Sequence, residues 1–118
     1  MGDSSGSPIE AGDAIRERRS VPRYSLIAQV EIVEPVSGVR IAGRISEISR
    51  KGCYIDVLNT LPVSTVVEVR ISRDQGNFSS RGRIVYAQEG MGMGIAFQEM
   101  SAEQGKTLDS WIAELKSA

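Results

Sequence analysis

The chain has 118 residues, enough for one domain with one core and too few for two. Its 14 basic and 15 acidic residues leave a formal net charge of −1. That balance argues against a surface that wraps a long polyanion, but it leaves room for a small anion held by a local cluster.

Residues 1–15 are rich in Gly, Ser and Asp and read as a mobile tail. They lack the basic start and apolar stretch of a signal peptide, and no apolar run in the chain approaches the ~18 residues that span a bilayer. A cytoplasmic location is expected. The folded domain is expected over 16–118. It opens with a basic arm over 16–23, in which Pro22 keeps Val21 out of the helical region.

Strands follow. In 24–34, Leu26, Ala28, Val30 and Ile32 alternate with Ser25, Ile27, Gln29 and Glu31, so the period is two. After the turn signal Pro35-Val36-Ser37-Gly38, Val39, Ile41, Gly43 and Ile45 share one face of a second strand over 39–48. Arg40 and Arg44 lie on its solvated face. Ser49-Arg50-Lys51-Gly52 breaks that strand. Cys53, Ile55 and Val57 make a short third strand, and Val67, Val69 and Ile71 a fourth. Beyond the hairpin signal Asp74-Gln75-Gly76-Asn77, a fifth strand places Phe78, Ser80, Gly82, Ile84 and Tyr86 on one side. Met93, Ile95 and Phe97 line a sixth. Six short strands at roughly ten-residue spacing predict an antiparallel sandwich or closed barrel.

The end of the chain changes period. Ser101-Ala102-Glu103-Gln104 is a capping box, and Leu108, Trp111, Ile112 and Leu115 follow at i, i+3, i+4 and i+7. A helix over about 101–116 is expected to pack on the barrel, with Trp111 as a core anchor and not a ligand contact.

The inventory points away from catalysis. Histidine is absent and Cys53 is the only cysteine, which removes the commonest general base, any intrachain disulfide and any thiolate metal site. The reading is a non-enzyme with no metal and no resident cofactor.

Two patterns remain. Arg18, Arg19 and Arg23 form an arginine cluster on the arm; guanidinium groups pair with phosphate, stack on purines and bond the O6 and N7 of guanine. Glu47-Ile48-Ser49-Arg50-Lys51-Gly52 forms a polar loop between the second and third strands. There Glu47 offers an acceptor for the N1 and N2 donors of guanine, Ser49 a hydroxyl, and Gly52 a tight turn or a close backbone approach. Taken singly, each pattern also fits a solvated basic tail and a plain turn.

Taken in order, they resemble the PilZ domain family. Arg19-Ser20-Val21-Pro22-Arg23 before the first strand matches its Arg-x-x-x-Arg arm, and Glu47-x-Ser49-x-x-Gly52 its Asp/Asn-x-Ser-x-x-Gly loop. Gly82-Arg83-Ile84-Val85-Tyr86 and Gly92-Met93-Gly94-Ile95-Ala96-Phe97 add to the likeness, which covers 16–118. The resemblance implies an all-β fold: a six-stranded antiparallel (split) barrel with a C-terminal helix, binding the bacterial second messenger cyclic di-GMP. Arg19 and Arg23 match the pair that contacts phosphate and guanine, and Ser49 and Gly52 match positions around a guanine and its phosphate. Arg18 adds a third guanidinium, expected to help hold a second, stacked ligand. Glu47 departs from the family's Asp or Asn by one methylene, so binding is expected to persist in weakened form. The expected partners are cyclic di-GMP and a downstream protein, with no DNA, RNA or membrane insertion. A PilZ-like interaction adaptor without nucleotide binding is the alternative. An oligonucleotide-binding barrel ranks behind both, because aromatics are only 5% of the chain.

Overall fold

A computed structural model describes residues 21–74 and 76–117. The chain runs through β1 (Arg23–Val33), β2 (Arg40–Ser49), β3 (Gly52–Asp56), β4 (Val66–Arg73), β5 (Gly76–Gln88) and β6 (Gly92–Gln98), then α1 (Ala102–Ser117). The strands close into an antiparallel barrel in the order β1-β2-β3-β6-β5-β4, with β4 returning to pair β1. The expected six-stranded barrel with its C-terminal helix is therefore present, and closure settles the choice between sandwich and barrel.

Alternation dictates the core. Leu26, Val30, Ile32, Ile45, Ile55, Val67, Val69, Ile71, Phe78, Ile84, Met93 and Ile95 are buried inside the barrel, while Ile27 is 77% exposed on the opposite face of β1. The helix closes one end. Leu108 and Trp111 are buried, with Ile112 and Leu115 packed at the margin, as the helical spacing predicts. Trp111 lies 6.0 Å from Phe78, which meets Phe97 edge-on at 5.2 Å, and the Arg73 guanidinium sits 5.1 Å over the Trp111 ring.

Three expectations need correction. The capping box forms only half: the Gln104 N–H donates to Ser101 Oγ at 3.1 Å, but the Gln104 side chain does not fold back to Ser101. It accepts the Ser79 N–H at 2.8 Å instead, tying α1 to β5. Satisfying a strand donor next to the core competes successfully with a solvated cap.

Secondly, Tyr86 does not share the inward face of Phe78 and Ile84. The register of β5 against β6 shifts between Ile84 and Tyr86, so one extra residue, Val85, reverses the alternation and leaves Tyr86 47% exposed.

Thirdly, Glu47 and Ser49 lie within β2, not in a loop. Only Arg50 and Lys51 separate β2 from β3.

Candidate ligand site

Arg23, the last residue of the arm, meets the end of β2 at the rim of the barrel. Arg23, the first residue of β1, is the cross-strand partner of Ser49, and Ser25 is the partner of Glu47. Direct partners share a face of the sheet. Arg23 Nη1 accordingly reaches Glu47 Oε1 at 3.3 Å, with both side chains about 40% exposed. Of the residues singled out in the sequence, Arg23, Glu47, Ser49 and Gly52 are brought together here. Arg18 and Arg19, with the rest of the arm before Val21, lie outside the described residues.

Glu47 owes its outward position to an irregularity. Between Ile45 and Glu47 the register against β3 shifts by one residue, and Ser46 is the extra one. Under regular alternation Glu47, two positions on, would follow Ile45 into the core. Ser49 has a task inside the turn: its Oγ accepts the N–H groups of Lys51 at 3.1 Å and Gly52 at 3.2 Å, which the two-residue reversal would otherwise leave unpaired. The turn is further tied down by the Phe97 N–H, which donates to the Lys51 carbonyl at 2.8 Å. Arg50 is drawn the other way, onto Asp109 of α1 at 2.5 Å.

Gly52 is required by a neighbour. A Cβ there would lie 2.1 Å from the carbonyl oxygen of Ile95 on β6. The close approach foreseen for this glycine is thus to a paired strand, within the fold itself.

Sequence reasoning missed the tyrosines beside this cluster. Tyr54 of β3 is the cross-strand partner of Glu47, and its ring centroid lies 6.3 Å from that of Tyr86. Burial, then the charges of Tyr86 and Asp56, push the Tyr54 hydroxyl above its ordinary pKa. Strand parity in β3 already placed Tyr54 opposite Cys53 and Ile55, but Tyr86 was hidden by the irregularity in β5. Among the described residues, no group of three His, Cys, Asp or Glu side chains is gathered as metal ligands. No described helix is long and apolar enough to cross a membrane.

The fold and this cluster define a class: a small closed barrel whose first and second strands present an exposed arginine–carboxylate pair at one rim. The PilZ domain family model matches residues 17–114, and the chain belongs to that family. No curated protein matches the chain. Among solved structures, the chain is similar to the PilZ domain of YcgR from Escherichia coli with c-di-GMP, at 13% identity and a TM-score of 0.69, covering 85% of this chain and 92% of that one. The PilZ domain of CeSA from a cellulose synthesizing bacterium is 20% identical with a TM-score of 0.63, covering 80% and 97%. The Bacillus subtilis inhibitor of motility MotI is 14% identical with a TM-score of 0.68, covering 84% of this chain. The chain spans about half of MotI, 51% of its length.

Proposed function

We propose that the chain is a non-catalytic receptor domain for cyclic di-GMP, a compact ligand with two guanines and two phosphates. Arg19 and Arg23 supply guanidinium groups to phosphate and guanine, with Arg18 adding a third. The Glu47 carboxylate accepts from the N1 and N2 donors of guanine, and the Ser49–Gly52 turn lies against the neighbouring phosphate. The observation that carries this reading is the Arg23–Glu47 pair, which brings together on one exposed face two groups that sequence separates by 24 positions. The family match, which spans both motifs, supports it, as does the likeness to a YcgR domain whose structure contains c-di-GMP.

The resting pair sets an energetic condition. An exposed ion pair is worth about 0–1 kcal/mol, so the ligand separates Arg23 from Glu47 at little cost. The guanidinium then turns to phosphate or a guanine edge, where paired, charge-assisted bonds are stronger. Ordering of the arm over the bound nucleotide changes the surface shown to a downstream protein.

One observation favours the second reading, an interaction adaptor: Glu47 and Ser49 are both already engaged within the chain. Calorimetric titration with cyclic di-GMP, with GTP as control, decides between them. Saturable binding of the cyclic dinucleotide alone is expected. Arg19→Ala and Arg23→Ala should each weaken it at least about tenfold, the equivalent of about 1.4 kcal/mol, with the fold intact. No binding by a folded sample would leave the adaptor, and unfolding of the alanine variants would make the arginines structural.

A further inference from the structure

Three irregularities of the barrel fall on one row. Extra residues interrupt β1 between Ser25 and Ala28, β2 between Ile45 and Glu47, and β5 between Ile84 and Tyr86. Along that row Ser25 pairs with Glu47, Glu47 with Tyr54, Tyr54 with Gly94, and Gly94 with Tyr86. Five strands therefore contribute to one continuous outer strip, and two of the extra residues are what aim Glu47 and Tyr86 onto it. Bulges that re-aim side chains cluster beside functional sites.

We propose that the part of this strip beyond Glu47, formed by Tyr54, Gly94 and Tyr86, is a stacking ledge for a second planar purine ring. The proposal rests on the receptor reading and deepens it. Tyr54 stands one strand spacing from Glu47 and Tyr86 two further on, so the ledge carries the site about 14 Å around the barrel. The glycines of β6 keep its floor low: a Cβ on Gly92 would meet Tyr54 Oη at 2.8 Å, and one on Gly94 would stand 3.5 Å from the Tyr86 Cβ. Phe78 and Trp111 are buried in the core and Phe97 packs against it, whereas Tyr86 keeps 47% of its surface open. The arginines supply charge and donors, and the ledge supplies the π-faces that the arm lacks. The second ring comes from the same dinucleotide or from a second, stacked copy.

A purely structural account has the rings covering the glycine backbone of β6. Titration of the full chain with cyclic di-GMP separates the two. Tyr54→Leu and Tyr86→Leu keep an apolar cover but remove the ring, and each should weaken binding about 5- to 100-fold with melting temperature little changed. A stoichiometry that also falls from two to one assigns the second ring to a second molecule; weaker binding at unchanged stoichiometry assigns it to the first. Should the leucine variants not fold, Tyr86→Trp keeps the ring, and its added indole emission should be quenched on binding. Wild-type affinity and stoichiometry in folded leucine variants, or unquenched emission, would overturn the ledge and leave the receptor standing. Absence of binding by the wild-type chain would remove the receptor, and the ledge with it.

Discussion

Gly52→Ala is expected to damage the fold before it damages any ligand contact. The new methyl carbon would sit 2.1 Å from the Ile95 carbonyl oxygen, against roughly 3.3 Å for an unstrained carbon–oxygen contact. Relief requires β3 and β6 to part by about 1 Å from their normal spacing of about 4.8 Å. The pairings nearest the clash are Gly52 with Ala96 and Cys53 with Ile95, and the Phe97-to-Lys51 bond lies beside them. Losing two such bonds costs about 2 kcal/mol, and residual overpacking adds about 1–3 kcal/mol. A total of about 3–5 kcal/mol corresponds to a fall in melting temperature of more than about 10 °C for a domain of this size. The single tryptophan, Trp111, is buried against Phe78, so its emission during thermal and urea unfolding reports the change directly. A variant melting within about 2 °C of the wild type would refute the reasoning and return Gly52 to the ligand.

Two further outcomes follow from titrating groups. Burial pushes the Cys53 thiol up to about 12, so at pH 8 it is protonated as well as enclosed. A thiol-specific disulfide reagent should modify the native chain at least about 100-fold more slowly than the urea-unfolded chain, and comparable rates would show the β3 core to be open. In the β1–β2 hairpin, Glu34 accepts from the Ser37 hydroxyl and from the N–H groups of Val36 and Ser37, which hold its carboxyl below the ordinary value. Because the folded pKa is the lower one, its stabilisation is present above the ordinary carboxylate range and lost as pH falls through the depressed value. NMR titration should find Glu34 ionising below that range, and a midpoint at or above it would contradict these bonds.

Most of the barrel was legible because alternation is a local property. Val67, Val69 and Ile71, or Cys53 and Ile55, announce an inward face without reference to any partner. The helix declared itself in the same way, through Leu108, Trp111, Ile112 and Leu115. What escaped is relational. Whether Val85 or Ser46 is an extra residue depends on the strand opposite, and a one-residue offset there decides whether Tyr86 and Glu47 face the core or the solvent. Gln104 looked like half of a cap because its competing partner, Ser79, is 25 positions away. The candidate site was legible as a set of residue types, Arg23, Glu47, Ser49 and Gly52, that the fold brings together. It was not legible as geometry: the turn's use of Ser49, and the approach of β6 that demands Gly52, exist only once the strands are paired.

The return of β4 to β1 bears on how the molecule comes apart. A ring of six strands has no outermost member, so peeling any one away exposes two raw edges instead of one. The β1–β4 seam joins residues about forty positions apart, such as Val30 and Ile71, so it must meet the entropy of closing a long loop. Folding is thereby committed late and unfolding tends to be all or none.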